Sequence, residues 1–120
     1  MLSSLFLFTL AASCNALMDT LQHHFYVSVF KGLNPFFWNP EKSWNNSKYI
    51  PYTKYKIDAW HLSKSSMIVL LAASIITFEY PKFLLGVNSF FSFIFLMSIY
   101  GTLWNLTFNL FYNRLLKSKD

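Results

Sequence analysis

Apolar residues along the chain gather into three long runs, separated by polar stretches that carry the prolines. Met1 to Met18 holds no charged side chain, just enough length for a helix that crosses a bilayer. A second run, "SSMIVLLAASIITF" from Ser65 to Phe78, is only 14 residues. It reaches spanning length if Trp60 to Lys64 form its first turn, with the Lys64 ammonium snorkelling to the interface. The third run, Phe83 to Asn113, is uncharged for 31 residues, more than one crossing needs. Its opening, "FLLGVNSF", predicts a turn around Gly86 to Asn88 or a tilted entry, and Pro81 in "EYPK" favours a short hairpin before it. The pattern therefore predicts an all-α, polytopic membrane fold with three transmembrane helices. Residues 1–24 form the first span, 25–57 an aromatic, Lys-rich interfacial loop, and 58–79 the second span. A short outer hairpin follows at 80–87, then the third span at 88–113 and a basic tail at 114–120.

Composition strengthens this reading. Hydrophobic residues make up 54% of the 120 and charged residues 12%, roughly half the charged share of an ordinary soluble domain. The 14 Phe, 7 Tyr and 4 Trp exceed what a small soluble core would bury. The net charge of +5 does not point to nucleic acid, because the lysines are dispersed through a loop and not ranged in one stripe. The expected partner is the lipid bilayer. The single Cys14 excludes an internal disulfide and a CxxC metal knuckle, and reads as apolar filler. No internal repeat, Gly-rich phosphate loop or GxSxG elbow is present.

Cations near the span ends set the expected orientation. Lys31, Lys42, Lys48, Lys54, Lys56 and Lys64 lie in or beside the first loop, and Arg114, Lys117 and Lys119 in the tail. The hairpin has Lys82 alone, and the extreme N-terminus has no basic side chain. The N-terminus and hairpin are therefore expected outside, with the first loop and the C-terminus cytoplasmic. A rival reading makes residues 1–16 a cleaved signal peptide with "AASC" as a degenerate lipobox, but Met1–Ser4 lacks the basic n-region such a segment wants. Pro35, Pro40 and Pro51 forbid one long helix through the loop. Trp38, Trp44, Tyr49, Tyr52, Tyr55 and Trp60, with Lys64, are suited to anchor at headgroup depth on anionic lipid.

The end of the first run carries the candidate chemistry. In "NALMDTLQHHFY", a helix turning 100° per residue would bring Asn15, Asp19, Gln22, His23 and Tyr26 within about a 100° sector, with His24 on the other side. The second span opens with "DAWH", where Asp58 and His61 share a face that Ser65 extends. Ser98, Thr102, Asn105, Asn109 and Tyr112 form a third polar stripe, deepening toward the same side. These stripes are expected to line a polar interior. Asp19, His23, Asp58 and His61 would then form a two-carboxylate, two-imidazole set able to hold a divalent transition metal or zinc. Ionisable residues inside a membrane are functional candidates by default. Asp–His, Asn, Ser and Thr hydrogen bonds between helices are the competing explanation.

Asn15-Ala16-Leu17-Met18-Asp19, His23-His24, "FWNPEKSW" from Phe37 to Trp44, Lys48-Tyr49 and "DAWH" from Asp58 to His61 together resemble an uncharacterised family of small bacterial inner-membrane proteins. The resemblance covers about half the chain, from Asn15 to about Lys64. It implies a multi-span protein of the inner (plasma) membrane and supplies no activity. The stretch between Tyr49 and Asp58 lacks a longer Gly-rich insertion, and "WNNSKY" also departs from the pattern. Two functions stay open. One is a metal-dependent protein acting on a lipid-like substrate, with Asp19, His23, Asp58 and His61 as ligands to an activated water. The other is a non-enzymatic membrane component: an accessory subunit of a larger membrane complex, or a holin-like homo-oligomer whose polar stripes are packing contacts.

Overall fold

The computed structural model describes residues 1–46, 48, 49 and 56–119; Pro51, Tyr52, Lys54 and Tyr55 lie outside them. Three helices are long and apolar enough to cross a membrane: α1 at Leu2–His23, α4 at Ala59–Ile76, and α5 at Ser89–Leu110, the last continued by a π-turn over Phe111–Leu115. Between α1 and α4 come two short helices, α2 at Pro35–Trp38 and α3 at Pro40–Asn46. An antiparallel pair of two-residue strands follows, β1 at Lys48–Tyr49 and β2 at Lys56–Ile57, with Lys48 opposite Ile57 and Tyr49 opposite Lys56.

Side-chain contacts give the chain direction of each long helix. Ser4 near the start of α1 meets Ser74 near the end of α4, and Gln22 at the end of α1 meets Trp60 at the start of α4. These two run antiparallel. Phe8 packs on Tyr100 and Trp104 of α5, while His24 packs on Tyr112, so α5 runs parallel to α1. Helix α1 packs against both α4 and α5 and occupies the middle. The molecule is a flat layer, 56 × 40 × 19 Å. Burial follows this order: 39% of the apolar window of α1 is buried, 17% of that of α4, and 6% of that of α5.

Small residues let α1 and α4 approach. Ser4, Ala11, Ala12, Ala16 and Thr20 are the buried face of α1, and Ala59, Ser63 and Ser74 that of α4. The Ala12, Ala16, Thr20 spacing of four residues is the small-xxx-small pattern that brings backbones close where apolar driving force between helices is weak. Larger side chains fill the end nearest the loop, where Leu21, Phe25 and Ala59 form a small core with Leu17, Phe30, Phe37 and Trp38 around it.

Each short element of the loop has a local cause. Asn34 and Asn39 both precede proline. The Asn34 Oδ1 accepts from the Phe36 amide at 3.0 Å and the Asn39 Oδ1 from the Glu41 amide at 3.1 Å, so two Asn-Pro pairs start the two short helices. The tail closes over this cap: the Val29 amide donates to the Leu116 carbonyl at 2.9 Å and the Ser118 amide to the Val27 carbonyl at 2.8 Å. At the opposite end, Pro81 and Leu84 are the buried residues of the α4–α5 connection. Gly86 turns the chain with φ +87°, a conformation that a side chain resists, and Asn88 caps α5 by accepting from the Phe90 amide at 2.9 Å.

Candidate functional site

The loop end of the layer holds the most elaborate polar cluster. Asp58 is the N-cap of α4, 1% exposed, and its Oδ1 accepts from the His61 amide at 2.8 Å. The His61 Nδ1 lies 3.0 Å from both carboxylate oxygens, and the fully buried Ser43 hydroxyl donates to Oδ2 at 3.3 Å. A carboxylate cannot donate, so Nδ1 of His61 carries the proton and Nε2 is left open on a side chain 54% exposed. The bonds run serine, aspartate, histidine, with the carboxylate central. A nucleophile relay needs the imidazole in the middle, between hydroxyl and carboxylate. This order is that of an anchor, which ties α3 to the first turn of α4.

Aromatic rings surround the anchor. Trp60 lies edge-on to His61 and to Trp44, Lys64 sits 5.1 Å over the Trp60 ring, and the Trp60 indole donates to Gln22 Oε1 at 3.1 Å. Trp38 stacks on Phe30 with ring centroids 4.9 Å apart. Four of the seven expected anchors, Trp38, Trp44, Trp60 and Lys64, are thus found around one end of the helical layer, while Tyr52 and Tyr55 lie outside the described residues.

Among the metal-set residues, the structure brings Asp58 and His61 together and places Asp19 and His23 elsewhere. The half-buried Asp19 acts electrostatically on Tyr112 at the end of α5, and His23 is exposed. Among the described residues, no three His, Cys, Asp or Glu side chains gather closely enough to share a metal ion. The reason is the width of the polar sector: Asp19 serves the α5 side of α1, whereas Gln22 serves the α4 side. Tyr26 does not continue the stripe either, because the α-helix ends at His23 and Tyr26 sits in a 3-10 turn. There its hydroxyl accepts from the Asn39 carboxamide at 3.1 Å. His24 leaves the helical conformation and packs its ring on Tyr112.

The expectation of a polar interior is corrected by the burial pattern. Asn15 is half-buried, but Gln22, Ser65, Thr102, Asn105 and Asn109 are all exposed. Helix α5 meets α1 through Tyr100 and Trp104. With 100° per residue, Ser98, Thr102, Asn105 and Asn109 fall within about 60° of one another, centred about 170° from Tyr100. These four residues of the third stripe point away from their own bundle, whereas its fifth member, Tyr112 in the π-turn, packs back on His24. The polar groups of the four are poorly served there: Ser98 donates to the Ile94 carbonyl at 2.8 Å, and Asn109 Oδ1 accepts from Asn113 at 3.2 Å. Among the described residues, Thr102 and Asn105 have no side-chain hydrogen-bond partner.

A hydroxyl cluster that the sequence reading passed over joins all three long helices. The Ser4 hydroxyl donates to the Ser74 carbonyl at 2.7 Å, and the Ser74 hydroxyl donates to the Ser4 carbonyl at 2.9 Å. Both serine protons are then committed, so the Tyr100 hydroxyl donates to Ser4 Oγ at 2.8 Å. A cleft of about 430 Å³ lies beside it, lined by Phe8, Leu71, Ile75 and Phe78. Every proton of the cluster is used internally, which makes it a clamp. Its signal was Ser4 lying on the same face as Ala11, seven residues on, inside an otherwise apolar run. Ser43 and Asn39 gave only the Asn-Pro pairing as a local clue.

Comparison with protein-family models, with curated proteins and with solved structures finds no match.

Proposed function

We propose that this protein is a non-enzymatic component of a membrane, a three-span subunit that assembles with another transmembrane helix through α5. The observation that carries the reading is the placement of Ser98, Thr102, Asn105 and Asn109 on the α5 face opposite its packing face. Asn105 lies seven residues before Tyr112 and sixteen after Ser89, so along the helix it sits about 10 Å from one landmark and 24 Å from the other. That depth is hydrocarbon in a spanning α5. An amide moved from water to hydrocarbon without a partner costs on the order of 4 kcal/mol or more, and polar side chains in spans accordingly find neighbouring helices. Because α1 occupies the middle of the flat layer, this face of α5 forms one of its open edges.

The orientation that accompanies this proposal puts the loop, its anchor at Asp58 and the basic tail on the cytoplasmic side. The cations around residues 31–64 and 114–119 support it. The Trp44, Trp60 and Lys64 cluster would then sit at the inner headgroup layer.

A photoactivatable benzoyl-phenylalanine at Thr102, irradiated in native membranes, tests the assembly. Protein adducts are expected at 102, and lipid adducts alone at Val69, which is 67% exposed on the apolar flank of α4. Lipid adducts alone at both positions would refute the assembly.

A further inference from the structure

We infer that the partner on this face is a second copy of the same chain, docked parallel with α5 against α5; the inference rests on the assembly reading above. The spacing comes first. Ser98, Thr102, Asn105 and Asn109 follow one another at intervals of four, three and four residues, which is the 3.5-residue repeat of a helix pair wound left-handedly about each other. A seam of that period stays in contact with a partner helix only if the partner offers the same period. Within this chain, neither α1 nor α4 is positioned to offer it, because both lie on the other side of α5 or beyond α1.

The chemistry of the seam selects a like copy. A carboxamide is donor and acceptor at once, and so is a hydroxyl. Asn105 meets no described partner through either end of its amide, and Asn109 has its oxygen engaged while its amide donors are not. Across a twofold axis along the membrane normal, Asn105 of one copy stands at the depth of Asn105 in the other. The oxygen of each then faces the NH2 of its counterpart. An acceptor-only partner such as a carboxylate would satisfy half of these groups and leave the oxygens unpaired. A single buried Asn on such a repeat is known to set register and copy number in helix pairs.

Nothing on the seam opposes the meeting of like copies. Ser89 to Asn113 carries no charged residue. Thr102 and Ser98 are small enough for the two helices to approach closely around them. Parallel docking also follows from membrane insertion, because two copies of one chain enter with the same orientation and bring equal depths together. The bulky exposed rings of α5, Phe90, Phe91, Phe93 and Phe95, lie toward its first turns, where the seam has not yet begun. The seam therefore covers the half of α5 nearer the loop, and it ends where the π-turn at Phe111 changes the helical period.

The test uses the full-length protein in lipid vesicles with Cys14 replaced by Ala. Single cysteines are introduced as Ser98→Cys and Thr102→Cys on the seam, and as Met97→Cys and Leu110→Cys off it. Oxidation is expected to give disulfide-linked dimers at 98 and 102 and none at 97 or 110. Energy transfer between donor- and acceptor-labelled copies reads the same equilibrium without a cross-link. There Asn105→Leu is expected to weaken association by about three- to thirtyfold, the range of one polar contact between spans. Circular dichroism verifies that each variant keeps its helices. Disulfides at all four positions alike, or unchanged energy transfer in Asn105→Leu, would overturn the second-copy assignment. Repeated in native membranes, seam cysteines that cross-link to a different polypeptide and never to each other remove the second-copy assignment and leave the assembly reading, and no protein adduct of any kind there removes both.

Discussion

Replacing Asp58 with Ala tests the anchor at the α3–α4 junction. The carboxylate caps α4 through the His61 amide, takes the Ser43 hydroxyl, and holds the His61 ring. Loss of an N-cap costs about 1 kcal/mol. Ser43 is fully buried, and its hydroxyl left without an acceptor adds about 1–3 kcal/mol. The His61 ring is 54% exposed, so its contact with the carboxylate is screened and contributes at most about 1 kcal/mol. These terms overlap, and about 3 kcal/mol is the expected total for Asp58→Ala. Asp58→Asn keeps a capping oxygen and an acceptor for Ser43, and is expected to lose about 1 kcal/mol. His61→Ala is expected to lose less than about 1 kcal/mol. Reversible unfolding in mixed micelles, followed by tryptophan fluorescence, ranks the three, with Trp44 and Trp60 beside the site as reporters. A loss in Asp58→Ala below about 0.5 kcal/mol would refute the anchor. A His61→Ala loss exceeding that of Asp58→Ala would also refute it, by showing that the imidazole and not the carboxylate is the centre.

The remaining predictions concern the clamp and the metal question. Tyr100→Phe removes one donor to Ser4 and is expected to cost about 1 kcal/mol, with Ser4→Ala costing more because it breaks every contact of the hub; equal stability of all three proteins in the same unfolding assay would dissolve the clamp. Elemental analysis of protein purified without chelators is expected to find no transition metal held by the Asp19, His23, Asp58 and His61 set, since no three of these side chains gather at one point. Zinc or another transition metal near one per chain, lost equally in Asp19→Ala and Asp58→Ala, would count against the fold placement of Asp19.

Three apolar runs with no charge inside them were enough to determine three long helices, because a backbone in hydrocarbon must satisfy its own hydrogen bonds. The same local logic made the second connection legible, where Pro81 and Gly86 act through their immediate neighbours, whereas the caps that Asn34 and Asn39 form before Pro35 and Pro40 were not anticipated. Asp58 and His61 were legible as neighbours on one face, since i and i+3 span a single helical turn, but the cap that Asp58 forms was not anticipated. Periodicity placed Ser98, Thr102, Asn105, Asn109 and Tyr112 on one face, but it does not say which way that face points, and Tyr112 packs back on His24. Only the tertiary structure decided that α1 would sit in the middle, that α5 would present Tyr100 and Trp104 to it, and that the polar seam would look outward. The same holds for Asp19 and Asp58. Each lies on a polar face at the same end of the layer, yet α1 turns one toward Tyr112 while α3 covers the other. Helical phase is a property of one segment. The rotation of each helix about its own axis depends on which small residues let its neighbour approach, here Ser4, Ala12 and Ala16 against Ser63 and Ser74.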